Sequence, residues 1–308
     1  MVFRCGLLHL HHLPPPRLRA ALLLSIPPPA AHPWLPRASE YPLYSPVEPP
    51  HRSAAAAAVL AQAADFDFSF VSSRNNWNVC DVRDSRVLLS TRHYPPEPFQ
   101  YLVVCDPLHR RYATIPGIPG DLWPSSQQRG LRLMEFEPFL DPVSEKEKWE
   151  EGDDLPFRVI CNVMYESKFV TLVFSFVTGK WQPATSFSYE YTALVRHYAH
   201  SCFYWTHVVS EDMLVLDPLD MKFSVVNLPP SIYQGWQAAR NERAIVDAGE
   251  GRLGWHKIPG EYFKTPERQY FAVELKTLLV ERLCVFNPID SHVFPYASFP
   301  PSFSLPSI

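Results

Sequence analysis

Glycine is scarce in this 308-residue chain, 11 residues where average usage gives about 22. Backbone that must adopt positive φ, or approach a phosphate closely, has little raw material here. No Gly-rich phosphate loop, Walker sequence, G-x-S-x-G or H-E-x-x-H occurs. Collagen is excluded, because it needs glycine at every third position. Lysine is absent before Lys146, and no two cysteines stand in C-x-x-C spacing. No window of about 18 apolar residues exists, so no membrane-spanning helix is expected. The net charge of −4 gives no global drive toward nucleic acid or anionic lipid.

Proline is what the chain has in excess, 33 residues where about 15 is average. Twelve fall within residues 1–50 and five within the last 21, so the ends differ from the middle. Long helical arrays are excluded by the frequency of proline. The six cysteines (Cys5, Cys80, Cys105, Cys161, Cys202, Cys284) are scattered, four of them in apolar, β-branched surroundings. There a thiol behaves as a small core hydrophobe, which fits reduced cysteines and a cytoplasmic or nuclear location. The apolar run 20–26 follows Arg17 and Arg19, but prolines bracket it. A signal peptide and an organelle transit peptide are therefore minority readings, the transit peptide slightly ahead.

Residues 1–52 lack periodicity and are read as mostly disordered. Ser53 and the alanine tract after it predict one short helix over 53–65, with Ser as N-cap and alanine as the best helix former. Being apolar on nearly every side, it should lie against something. Phe66, Phe68 and Phe70 alternate with polar residues, which predicts a half-buried strand. Beyond it, short apolar runs separated by turn chemistry read as all-β. The acidic stretch Asp141–Asp154 reads as a solvated loop.

A pattern recurs through this region: an apolar strand, a small polar residue, a turn, then a second strand ending near proline. Val103–Pro116 carries Asp106, Leu172–Pro183 carries Ser175, Leu214–Pro229 carries Asp217, and Cys284–Pro295 carries Asn287. Asp, Asn or Ser there can accept a backbone hydrogen bond, and a proline beside it presets φ, so each copy predicts a hairpin. The markers are 69, 42 and 70 residues apart. The middle step matches one propeller blade of about 40–50 residues. The first long step holds the acidic stretch, and the last leaves room for a degenerate copy near Ala244–Ile258. Lead-in strands precede the first and third copies, at Trp77–Leu89 and His197–Trp205, so each unit predicts a four-stranded sheet.

The ordered segments 104–116, 200–205 and 249–253 resemble the kelch-like associated β-propeller of plant F-box proteins, nearest to the large grass subgroup, over roughly residues 66–258. The resemblance implies an all-β, β-propeller-like domain at 66–295, followed by a disordered tail at 296–308. Residues 66–295 hold material for four or five blades, so an incomplete ring with an open edge is expected. The resemblance also implies a protein-interaction module that recognises a client for a cullin-type ubiquitin ligase through its adaptor subunit. Leu13-Pro14 and Leu18 to Pro27 echo the opening of an F-box. Its helical remainder would have to cross Pro27–Pro36, which helices do not tolerate, so an intact F-box is not expected. The alternative is a diverged or truncated propeller with no ubiquitin-ligase role.

Candidate chemistry is thin. His9, His11 and His12 lack a cysteine or carboxylate at ligand spacing and read as a mobile polar tract. His197 and His200, with Cys202 nearby, would point to opposite faces of a strand, and His200 reads as core packing beside Trp205. Glu135 and Glu137 share a face and read as surface carboxylates, with Met134 and Phe136 turned inward. Arg110-Arg111-Tyr112, Arg129 and Arg132 could meet phosphates, but they sit on turns in acidic surroundings. No catalytic residue, metal site or cofactor, no nucleic-acid or membrane partner, and no enzymatic activity is expected.

Overall fold

The computed structural model describes residues 7–8, 21–25, 44–46, 48–49, 54–71, 77–83, 86–91, 101–122, 133–141, 157–188, 194–199, 201–207, 212–227, 243–247, 253–257, 269–274, 279–285 and 293–297. Strands β1 (Leu7–Leu8), β2 (Ala21–Ser25) and β3 (Tyr44–Pro46) precede the helix α1 (Ala54–Ala63). The first four-stranded sheet is β4 (Trp77–Arg83), β5 (Arg86–Thr91), β6 (Leu102–Asp106) and β7 (Arg111–Ile115). The second is β8 (Leu133–Leu140), β9 (Arg158–Tyr165), β10 (Lys168–Ser175) and β11 (Lys180–Phe187). The third is β12 (Leu194–Ala199), β13 (Cys202–His207), β14 (Asp212–Asp217) and β15 (Lys222–Asn227). All three are antiparallel meanders with neighbours in chain order. A hairpin of β16 (Arg243–Asp247) and β17 (Leu253–Lys257) comes next. β18 (Gln269–Glu274) and β19 (Leu279–Val285) form a sheet with β1, and β20 (Val293–Ala297) forms one with β2 and β3. The chain is all-β with one helix among the described residues.

Burial on both faces explains why the strands read as unbroken apolar runs. Every residue of β5 and β6 is buried. Val87, Leu89, Val103 and Cys105 on one face pack against Ala57, Leu60 and Phe66. Leu88, Leu102 and Val104 on the other face meet Val159, Cys161, Val163 and Trp181 of the second sheet. The second sheet repeats the arrangement, turning Phe139, Ile160, Met164 and Phe169 toward Phe203, Trp205, Leu214 and Leu216 of the third. Phe139 lies 4.5 Å from the Phe203 ring and 5.9 Å from Trp205. Such aromatic pairs add about 0.5–1.5 kcal/mol each beyond the area they bury. Trp181 Nε1 donates to the Pro116 carbonyl at 2.7 Å, tying the second sheet to the first. The fourth strands are different. β7 alternates, and β11 and β15 are mostly exposed.

The repeated turns fold as their chemistry dictates. Asp106 Oδ1 accepts from the Leu108 and His109 amides at 3.0 and 3.1 Å. Asp217 Oδ1 accepts from the Leu219 amide at 2.9 Å, and Ser175 Oγ from the Thr178 amide at 3.5 Å. In each loop the fourth residue after the marker turns left-handed: Arg110 (φ 52°), Gly179 (φ 65°) and Met221 (φ 50°). The copy at Asn287 lies outside the described residues. The degenerate copy expected near Ala244–Ile258 is a hairpin, with Ile245 opposite Trp255.

Two expectations need correction. The alternating phenylalanines do not form a strand. The Phe68 amide donates to the Asp65 carbonyl and the Val71 amide to the Phe68 carbonyl, so 65–71 is a chain of turns with Phe68 at φ 55°. The alternation of burial survives, since Phe66 and Phe68 are buried while Asp67 and Ser69 are exposed. Within residues 1–52, otherwise largely outside the described residues, three short strands stand at Leu7–Leu8, Ala21–Ser25 and Tyr44–Pro46. The run Ala21–Ser25 finds antiparallel partners in Val293–Ala297 and Tyr44–Pro46, which satisfy its backbone. The acidic stretch does not begin in solvent either, because Asp141 is buried and ion-paired with Arg158. Residues 142–156, Ser53 and the tail beyond 297 lie outside the described residues.

Left-handed backbone costs a non-glycine residue about 1–2 kcal/mol. Arg110 is exposed, so Arg110→Gly is expected to raise unfolding free energy by about 1 kcal/mol. At Gly179 nothing lies within 4 Å of an added Cβ, so Gly179→Ala should lower stability by about 1 kcal/mol through backbone strain alone. Urea titrations of the two variants check both signs.

Candidate functional site

The first strands of the three sheets converge on one group of charged side chains. Asp81 and Arg83 come from β4, Glu137 from β8 and Arg196 from β12. A bulge in the β4–β5 ladder, between Val79 and Asp81, shifts the alternation there. A second bulge, between Leu133 and Glu135, sets Glu137 opposite Asn162 on the face toward the third sheet.

Arg196 is the hub. Its Nη1 lies 3.3 Å from Glu137 Oε1, and its Nη2 lies 3.7 Å from Asp81 Oδ1. The same Nη2 donates to the Cys80 carbonyl at 3.5 Å, and the guanidinium sits 4.4 Å from the centre of the Phe139 ring. Glu137 Oε2 accepts from Trp205 Nε1 at 2.9 Å. Asp81 Oδ1 accepts from the Val82 amide at 3.0 Å, and its Oδ2 from the Leu140 amide at 2.9 Å. Arg83 approaches Asp81 Oδ2 at 3.9 Å and stacks on Tyr198 of β12, 4.0 Å from the ring centre. Two carboxylates and two guanidinium groups thus share a mostly buried site.

Burial is the main force on Glu137 and pushes its pKa up to about 7. Arg196 and the Trp205 hydrogen bond pull it back down, whereas Glu135 and Asp81 raise it further. Cys80 is half-buried and donates to Ser90 Oγ at 3.0 Å. Its burial pushes the thiol up to about 11, which keeps it protonated and unreactive at neutral pH. All four oxygens of Asp81 and Glu137 already face donors, so the arrangement works as a strut between sheets.

Glu137 is therefore not the surface carboxylate that the sequence suggests. Of the other candidates, His197 Nε2 lies 3.2 Å from Thr206 Oγ1 on the neighbouring strand. Cys202 is half-buried, and His200 lies outside the described residues. Tyr112 sits against Phe70 at 6.3 Å between ring centres, beside the exposed turn residue Arg110. His9, His11, His12, Arg129 and Arg132 lie outside the described residues. Sequence reasoning passed over Arg196, Asp81 and His109, whose Nδ1 meets Asp106 Oδ2 at 2.7 Å. The available signal for the first two was a charged residue inside an otherwise apolar lead-in strand. Among the described residues no group of three or more His, Cys, Asp or Glu side chains is placed to hold a metal ion. No helix there is long and apolar enough to cross a membrane.

No protein-family model and no curated protein matches this chain.

Removing one partner of a buried ion pair strands the others and costs about 3–5 kcal/mol. Arg196→Met should show a loss of that size in denaturant unfolding, because Glu137 loses its cation and Asp81 is left with only the more distant Arg83. Between pH 4.5, the ordinary carboxyl value, and about 7, folded Glu137 holds a proton that the unfolded chain has released. Its contribution to stability therefore falls as pH rises through that window and is level above it. Glu137→Gln should remove this descent, which melting temperatures measured from pH 4.5 to 8 would show.

Proposed function

We propose that the chain is a non-enzymatic, propeller-like protein-interaction scaffold. The observation that carries this reading is the joining of three successive four-stranded sheets at their first strands through Arg196, with exposed fourth strands outside. Chain order supports a ring. β20 lies against β4, β4 against β8, and β12 against β16, while β20 shares its sheet with β2 and β3 from the other end of the chain. Six sheets among the described residues fall within the range of closed propellers, typically four to eight blades. Such a scaffold offers rims and edges to a partner, and its titratable inner groups are committed to holding the sheets together.

Client recognition for a cullin-type ubiquitin ligase rests on the sequence resemblance alone. The strand at Ala21–Ser25 favours the reading without a ligase role, because an F-box would need helices there. Affinity purification of the full chain from its own cells tests both. A stoichiometric protein partner is expected, and recovery of the chain alone would overturn the scaffold reading. Co-purification of the ligase adaptor subunit would restore the ubiquitin link.

A further inference from the structure

The fourth strands of the three sheets occupy equivalent positions, and two of them are protected. β7 opens on Arg111, next to the exposed charge of Arg110, and the turns at 65–71 flank it, with Phe70 against Tyr112. The Asp65 amide also donates to the Pro107 carbonyl at 2.9 Å, closing that end. β11 carries Pro183, which has no amide to offer, and its ladder to β10 skips Ala184. Proline, bulges, charge and cover are the usual ways of blunting an edge.

β15 has neither a proline nor a bulge. Its six residues, Lys-Phe-Ser-Val-Val-Asn, pair in unbroken register with β14 on one side, and among the described residues no strand pairs with its other edge. Apolar surface gathers on the same hairpin. Leu219 at the turn is 69% exposed, and Val225 and Val226 are 42% and 44% exposed on opposite faces of the strand. Of the related turn residues, Leu108 is packed against the core beside α1, while Val177 is as exposed as Leu219 but leads into the strand that Pro183 interrupts. Lys222 is the one charge on β15, is exposed, and has no ion pair among the described residues.

We propose that the outer edge of β15 is a docking strand for an extended, β-branched peptide segment of a protein partner. The segment runs antiparallel to β15 and sets an acidic residue beside Lys222. Main-chain hydrogen bonds along the edge supply affinity, while Val225, Val226 and Leu219 select the side chains. Size favours a peptide over a second copy of the chain. A six-residue edge spans about 20 Å, too little for the roughly 1,200 Å² that a stable dimer buries. The proposal rests on the scaffold reading and gives it a surface.

The probe is a fluorescent acetyl-Thr-Val-Thr-Val-Thr-Val-Asp-amide peptide, titrated into the full chain and followed by anisotropy. Saturable binding is expected, weakened by at least about tenfold, or 1.4 kcal/mol, in the Val225→Lys/Val226→Lys variant. Lys222→Glu should reverse the preference toward a peptide ending in Lys. N-methylation on alternate residues separates edge pairing from stickiness, since one register should abolish binding and the other should spare it. Equal binding of both methylated peptides, or no saturable binding at all, overturns the proposal. So does self-association in sedimentation that the double lysine variant abolishes while the peptide fails to bind, which would give the edge to a second copy. If the double variant keeps a purified partner and the peptide never binds, the edge assignment fails and the scaffold reading stands.

Discussion

A single guanidinium holds the middle of this molecule together. Arg196 reaches from the third sheet to Glu137 in the second and Asp81 in the first, at distances where a partly buried ion pair is strong but costly to desolvate. Hydrophobic contact between sheets has no direction and tolerates sliding. The charged group does not, because it fixes which strands of the three sheets meet. Trp205 and the Leu140 amide hold the carboxylates in place, so the strut is braced from the third and second sheets. Packing gives the fold its stability, and the strut gives it registration.

The outer hairpins were the legible part of the sequence. Asp106, Ser175 and Asp217 announce their turns through short-range chemistry, since acceptor and amide lie two or three residues apart. The left-handed position is also local, but only one copy displays it openly, as Gly179. Arg110 and Met221 conceal it because the hairpin overrides residue preference. The all-β texture was equally readable, because runs such as Leu102–Asp106 are buried on both faces.

The inner network was not legible, for a physical reason. Whether Glu137 faces solvent or a neighbouring sheet depends on two things no local window contains. One is the bulge near Leu133, and the other is the cation that arrives from Arg196 far along the chain. Alternation alone assigns Glu137 to the same class as any surface acid. The opposite error occurs at Phe66–Phe70, where a true period of two in burial comes from successive turns and no strand partner is present. Periodicity reports which residues are buried, and it reports hydrogen bonding only when a partner strand exists.

The pairing of Ala21 with Ala297 has a kinetic meaning. The two strands are far apart along the chain, and loop-closure entropy makes so distant a contact slow to form. Leu22, Leu23 and Leu24 have a nearby mate in Tyr44–Pro46 on one edge, so until β20 pairs it is the other edge of β2 that stands open. While it stands open, that edge can pair with another chain, which makes the closure of β2 by β20 a point of misassembly.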